Sequence, residues 1–546
     1  MLAEPAADAA QIGALIKLGR LNQAIAAGAP RLTRSQGRAA HRHFAAARQH
    51  AASLGDQRLG SFAAGYFGGL YERAGRWQEA QRLTNEAIRL AQRSQSDDTL
   101  YVWHWQLGRI LRARGDRPAA IAAHQSAIEA LSLVRSDIVA GFGTGRDIFE
   151  ETVRPLILDL ADLLLQQAER ARGDEQQRLL SAARETVELL KAAEYEDFFH
   201  DDCLAALQAQ RRSLDVLPEG TAVLYPVVLA DRVVLILGGP NGLSQFAAAA
   251  GTTELDRAVA MLRSGLSDAK STRFRAQARQ LYRWLIAPVE EALARTAVDT
   301  LVVVPTGALA SIPFAALMDG DEFLIQKYAI AVAPGLSLID SDPLADRRIE
   351  ALVGGLTESV AGFPALPHVA SELADVGSRF PSKVLRDDDL IRDDLIELLD
   401  RVPYGVVHLA THAKFEAEAS ESFLLTYDGR IDMDGLEQMV RQSRFRDQPI
   451  ELLTLSACST AEGDARAALG LAGIALKSGA RSALASLWLV NDRSTADLVS
   501  RFYAGLVAPG ATKAKALRQA QLALIASVDY DHPAYWSPFI IIGNWK

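Results

Sequence analysis

A helical repeat region followed by an α/β region is the fold class this sequence predicts, on three observations. Residues 10 to about 215 are rich in Ala, Leu, Arg, Gln and Glu, with few prolines and few strand formers, a composition that favours helix. After Asp215 the runs TAVLYPVVL (221–229), RVVLILGG (232–239), TLVVVP (300–305), YGVVHLAT (404–411), ELLTLS (451–456) and RSALASLWLV (481–490) are short, β-branched and bounded by Gly, Pro or Asp. Helical stretches such as ELDRAVAMLRSGL (254–266) and RAALGLAGIALKSGA (466–480) lie between several of them. Strands alternating with helices predict largely parallel sheets covered on both faces.

The helical part repeats itself. LGRLNQA (18–24), AGRWQEA (74–80) and RGDRPAA (114–120) each set Gly at an expected turn and Ala five residues later. Upstream fall Phe67-Gly68-x-x-Tyr71 and Leu107-Gly108-x-x-Leu111, and downstream Ala87 and Ala127. This resembles the tetratricopeptide repeat, whose small residues let two antiparallel helices pack closely, although the spacing is irregular. The expectation is an α-solenoid offering a concave surface to a peptide or protein. The first unit begins partway through its pattern, which predicts a further helix pair upstream.

The chain has 546 residues, a length that suits three to four domains of roughly 150 residues each. With 49% hydrophobic and 23% charged residues it matches globular proteins and excludes pervasive disorder. Residues 1–215 carry 27 basic and 27 acidic side chains, so the net charge of −9 arises wholly from 216–546. Neither part has the basic balance of a nucleic-acid binder. Cys203 and Cys458 are too few for a disulfide framework. The start lacks a basic segment followed by an apolar one, and no apolar run approaches the ~20 residues of a membrane span. A cytoplasmic protein is expected.

HLATHAKF (408–415) and LLTLSACSTAEG (452–463) begin as apolar strands and break into small and polar residues. Reactive groups gather beyond the carboxyl ends of parallel strands, and His412 and Cys458 are expected just past two such ends. A thiol attacks as its thiolate, which an imidazole promotes by taking the proton. Small neighbours (Ser456, Ala457, Ser459, Thr460) leave the sulfur accessible. The pattern fits a Cys–His catalytic pair; it also fits a small core cysteine and a separately hydrogen-bonded histidine. His408 and His412, on one face of a strand, would lie roughly 13 Å apart, too far to share a metal. No metal or cofactor is expected, and His408 reads as a core residue. His200 and Cys203, in HDDC among acidic neighbours, read as structural. GGPNG (238–242) lacks the Lys-Ser/Thr of a phosphate loop, which argues against a nucleotide-binding domain. The run DDDLIRDDLIELLD (387–400) reads as a solvated helix face with Asp near its N-terminus.

Taken in order, His408-Leu-Ala-Thr-His412, Leu455-Ser-Ala-Cys458-Ser-Thr460, Gly470-Leu-Ala through Ala485-Ser-Leu-Trp488 and His532-Pro-x-x-Trp536-x-x-Phe539 resemble the CHAT family, caspase-like proteins associated with tetratricopeptide repeats. Pro305-Thr-Gly-Ala-Leu and Ile312-Pro-Phe-Ala-Ala-Leu317 extend the resemblance, which runs from about residue 219 onward. It implies a caspase-like α/β fold in a clan of cysteine endopeptidases that includes caspases, separase and gingipains. It also implies Cys458 as nucleophile, His412 as general base and later acid, and the backbone N–H groups of Cys458 and Ala413 as the oxyanion hole.

Two departures stand out. The glycine usual after the histidine is Ala413 here, strained if that position needs φ > 0, and the Glu-Thr-Gly common after the cysteine is Ser459-Thr460-Ala461. The family further implies a duplicated sheet unit whose first half is degenerate. By the same resemblance Ser486, Trp488 and Asp492 are candidates for the substrate pocket, with Asp492 alternatively a cap for a helix near Ser494. Ser456 stands where relatives specific for basic residues carry Asp, so a preference for Arg or Lys is not implied. The expected organisation is repeats over 1–135, a helical bridge over 136–215, a degenerate half over 216–345 and a peptidase half over 346–546. The expected function is a cysteine endopeptidase acting on protein or peptide substrates, its repeats recruiting a substrate or an activating protein. An inactive scaffold of the same fold, binding protein partners, is the alternative.

Overall fold

The computed structural model describes residues 8–28, 33–141, 149–199, 217–339, 349–416, 421–432, 435, 449–460, 467, 470, 473 and 480–546, with backbone alone for 135–141 and 457–460. His200 and Cys203 lie outside the described residues. The chain divides into two compact units, 1–186 and 187–546.

The first unit is helical: α1 (Ala9–Gly28), α2 (Thr33–Leu54), α3 (Gln57–Arg73), α4 (Trp77–Arg93), α5 (Asp97–Ala113), α6 (Arg117–Gly141), α7 (Arg154–Ala168) and the first part of α8 (Gly173–Phe199). The helices α3–α4 and α5–α6 are two copies of one hairpin. Gly75 and Gly115 end α3 and α5 at φ of 68° and 84°, left-handed values that side chains with Cβ resist. Ala80, Ala87, Ala120 and Ala127 are wholly buried. A Cβ on Gly68 would stand 2.8 Å from Thr84 Oγ1, and one on Gly108 2.2 Å from His124 Nδ1. Absence of a side chain is thus what lets paired helices close at both places. The first of the three aligned segments behaves differently. Gly19 is not at a turn but inside α1, where a Cβ would meet the Phe44 ring at 2.5 Å; its glycine serves packing.

In the second unit the strands are β1 (Thr221–Val228), β2 (Val233–Gly239), β3 (Gly242–Ala248), β4 (Thr300–Val303), β5 (Met318–Asp319), β6 (Glu322–Phe323), β7 (Ala329–Val332), β8 (Ala351–Gly355), β9 (Ser382–Arg386), β10 (Val406–Phe415), β11 (Phe423–Leu425), β12 (Arg430–Asp432), β13 (Leu452–Thr460), β14 (Ser482–Ser486) and β15 (Phe539–Gly543). Thirteen of them form one sheet with the path β9-β8-β10-β13-β14-β15-β7-β4-β1-β2-β3, and β11-β12 branch from the far end of β10. β1, β4, β7, β8 and β14 are buried almost throughout, as strands covered on both faces must be. Edge strands β3 and β9 are largely exposed or half-buried.

The sheet is mixed rather than largely parallel, because β15 runs antiparallel to β14 and the β1–β2–β3 meander is antiparallel. The GGPNG segment is the tight β2–β3 turn, Gly239 opposite Gly242. Residues 216–345 and 346–546 share this single sheet, joined where Ile542 of β15 faces Val332 of β7. Flanking helices include α9 (Thr252–Ser267), α10 (Phe274–Leu285), α11 (Val369–Arg379), α12 (Arg392–Arg401), α13 (Asp492–Leu506) and α14 (Lys513–Ile525). Ala467, Gly470 and Gly473 are helical, and the rest of 466–479 lies outside the described residues. No described helix is long and apolar enough to cross a membrane.

Two stability predictions follow from this packing. Gly108→Val should cost about 1–3 kcal/mol through overpacking. Gly37→Ala, where a Cβ meets nothing within 4 Å, should gain up to about 1 kcal/mol of helix propensity; chemical denaturation reads both. The second concerns Lys513, fully buried, whose Nζ donates to the main-chain oxygens of Lys546 at 2.7 Å and Asn544 at 3.3 Å. Burial pulls its pKa from 10.5 down to about 8. The folded chain therefore holds fewer protons than the unfolded one between these values, and stability rises with pH across that interval by up to about 3 kcal/mol. Denaturation curves at pH 7.5 and 10 should show this increment in the wild type and not in Lys513→Met.

Candidate active site

The candidate residues converge on β10 and β13, which run parallel. Val406 to Leu409 face Leu452 to Leu455 in simple register, and then β10 takes in an extra residue, so that His412 faces Ala457 and Ala413 faces Cys458. His412 and Cys458 are therefore diagonal neighbours on adjacent strands, with Cα atoms roughly 6 Å apart from the strand spacing and rise. Both lie inside strands, not past their ends, because β10 continues to Phe415 and β13 to Thr460. The break into small polar residues marks a bulge, not a strand end.

The bulge also reverses the alternation of β10, so that His408 and His412 face opposite sides instead of one. Their surroundings agree. His412 is buried, and its Nε2 lies 2.9 Å from the Pro364 carbonyl oxygen. A carbonyl only accepts, so Nε2 carries the proton and, in the neutral ring, Nδ1 holds the free lone pair. The Phe363 ring lies against the imidazole at 5.1 Å, and the Arg430 guanidinium sits over Phe423 at 4.1 Å and Phe363 at 5.9 Å.

On the other side His408 is fully enclosed, its Nε2 3.0 Å from Glu372 Oε1. Tyr503 OH lies 2.7 Å from Thr454 Oγ1 and 3.4 Å from His408 Nδ1. Burial pushes the Tyr503 phenol well up, with Glu372 adding to it and the Thr454 hydrogen bond offsetting part. His408 is thus the core residue the sequence suggests, with Glu372 and Tyr503 as partners that lie too far along the chain to be foreseen. Among the described residues no cluster of His, Cys, Asp and Glu could hold a metal ion.

The other candidates fall as follows. Ala413 does not have a positive φ, so alanine there is unstrained. It has Cα partners on both flanks, Leu424 and Cys458, and its N–H is directed into one of these ladders. Ser456, Ser486 and Trp488 are interior residues: β14 is flanked by β13 and β15, and the Trp488 indole Nε1 donates to Ala534 O at 3.3 Å. The Ser456 hydroxyl, beside the bulge, has no hydrogen-bond partner among the described residues. Asn491, not Asp492, caps α13 by accepting from Arg493 N and Ser494 N. Asp492 instead accepts from His368 N at 2.9 Å.

Within the acidic run, Asp387 is buried rather than solvated, with φ of 49°. Burial pushes its carboxyl up, but hydrogen bonds from Thr357, Glu358 and Arg386 outweigh this and hold it below the usual range. Pro364 and Phe363 were not legible as site residues, because nothing in GFPALP marks a carbonyl 48 residues from its histidine.

A helical repeat region ahead of a mixed α/β sheet defines the class. Residues 61–132 match the tetratricopeptide repeat model and residues 275–544 match the CHAT domain. The chain therefore has the TPR–CHAT architecture. No curated protein matches it. Among solved structures, a chain of the Saccharomyces cerevisiae separase–securin complex at 3.0 Å aligns with TM-score 0.44 and 9% identity, covering 98% of this chain and 53% of that one. The same complex at 2.6 Å gives TM-score 0.39, 10% identity and coverages of 98% and 53%. BtubC (BKLC) from P. vanneervenii gives TM-score 0.20 and 14% identity, over 38% of this chain and 96% of that one. The chain thus spans about half the length of the separase-complex chain it matches.

The enclosed pair gives a test of the core. Glu372→Ala leaves a wholly buried imidazole without its carboxylate and should cost about 3 kcal/mol or more in urea denaturation. Glu372→Gln, which keeps an acceptor oxygen, should cost clearly less.

Proposed function

We propose that this chain is a caspase-like cysteine endopeptidase acting in the cytoplasm, with His412 and Cys458 as its dyad and the repeats recruiting a protein substrate or activator. The observation that carries the reading is the hydrogen bond from His412 Nε2 to Pro364 O. A base held by a third group, with its second nitrogen free to accept, is the arrangement a nucleophile's partner needs. In this reaction Nδ1 takes the thiol proton as sulfur attacks the peptide carbonyl. The imidazolium then gives that proton to the leaving amine. Water, deprotonated by the same ring, hydrolyses the acyl-enzyme and restores the thiol.

The backbone N–H groups of Cys458 and Ala413 are the proposed oxyanion donors. For Ala413 this requires its N–H to leave a strand ladder, which makes activity conditional on a change at β10. The pairing of β10 with β11 is short, Ala413–Leu424 and Lys414–Phe423, and is the ladder that such a change would release most readily. The same committed N–H favours the alternative of an inactive scaffold.

An electrophilic peptide probe separates the two. Labelling of Cys458, alone or with a protein captured on the repeats, supports the peptidase. In an N-terminomic comparison, Cys458→Ala and His412→Ala should each lower cleavage by ~10³-fold or more without weakening partner binding. Undiminished cleavage by Cys458→Ala overturns the assignment, and absence of labelling under both conditions leaves the scaffold.

A further inference from the structure

The segment between β8 and α11, residues 356–368, presents Phe363 and Pro364 to His412. It is held at both ends by carboxylates from elsewhere in the chain. At its start, Asp387 Oδ1 accepts from Thr357 N at 2.6 Å and Glu358 N at 3.2 Å, and Oδ2 from Thr357 Oγ1 at 2.6 Å. At its end, Asp492 Oδ2 accepts from His368 N at 2.9 Å. Leu366 N donates to Thr357 O at 3.2 Å and closes the segment on itself. Ser359 Oγ donates to Phe363 O at 2.6 Å, and Ala361 and Gly362 turn the chain at φ of 50° and 85°.

Asp387 adopts a left-handed backbone at φ of 49°, a conformation that costs free energy in a residue with Cβ and persists where its surroundings over-determine it. Its hydrogen bonds supply that surrounding. What the pinned segment offers the sheet is a ring against the imidazole and one carbonyl at 2.9 Å from Nε2. A drift of 1 Å at Pro364 breaks that hydrogen bond.

We infer that Asp387 and Asp492 are positioning residues, which act through the 356–368 segment to hold the Pro364 carbonyl on His412 and so fix the Nε2–H tautomer. This rests on the dyad reading for its consequence in catalysis, but the geometry it concerns is measurable without turnover.

The full-length chain labelled with ¹⁵N-histidine, with the His412 ring signal assigned from His412→Gln, reports the tautomer directly. The wild type should show Nε2–H. Asp387→Gly removes the carboxylate while accepting the left-handed backbone, and Asp492→Ala releases the other end. Each should shift His412 to a mixture containing the Nδ1–H form. Asp387→Asn keeps an acceptor and a side chain that tolerates this φ, and should stay near the wild type. Where a peptide substrate is turned over, Asp387→Gly should lower kcat by ~10–100-fold with little change in KM. An unaltered His412 signal in both Asp387→Gly and Asp492→Ala, with the circular dichroism and melting of the wild type, overturns the inference. A shifted tautomer in a chain whose Cys458 never labels upholds the positioning role and removes the peptidase reading.

Discussion

One inserted residue in β10, between Leu409 and His412, governs the chemistry on both sides of it. Before the insertion the strand lies in simple register with β8 and β13, and its side chains join the core. Beyond it the alternation is reversed. The result is a division of labour between two histidines four residues apart. His408 is sealed among Glu372, Tyr503 and Thr454, where nothing from solvent reaches it. His412 is turned to the segment carrying Phe363 and Pro364. Without the insertion His412 would pair directly with Cys458 and share a face with His408. Bulges re-aim side chains, and here the step sets His412 level with Ala457 and parts it from the face that holds His408.

The acidic run after β9 shows a second selection of this kind. Asp387, Asp388 and Asp389 are indistinguishable in composition, yet only the first is buried. The reason is local. At the end of β9 it meets the backbone leaving β8, where two N–H groups and a hydroxyl need an acceptor. Its neighbours remain on the surface. A charged stretch read as one solvated face thus conceals a single residue that does structural work for another loop.

Much of the architecture was legible because it depends on local pattern. Small residues at fixed intervals announced the α3–α4 and α5–α6 hairpins, since Gly68 and Gly108 are needed wherever two helices close tightly. Continuous apolar runs announced the buried strands β1, β2, β4, β10 and β14. What was not legible depends on distant partners. The insertion of β15 between β14 and β7, one source of the mixed sheet, is encoded by no local run. Gly19 fits a turn motif by spacing, but the deciding contact is Phe44 on another helix. The sequence singled out His412 and Cys458 by their neighbours. Pro364 contributes only a main-chain oxygen, and a main-chain oxygen leaves no signature in residue type.

The position of β15 has a consequence for how the molecule is made. This strand follows every other described strand, yet it lies between β14 and β7 and is the only described bridge between the two halves of the sheet. As the polypeptide leaves the ribosome, β1 to β4 and β7 can associate early, and β8 to β14 later, but neither set has its inner border covered. Only when residues 539–543 emerge does the seam close. Pairing of such large sequence separation is slow to form, and exposed inner borders invite association with other chains meanwhile. The half of the sheet bearing His412 and Cys458 therefore gains its full support only through a strand far along the chain from β7.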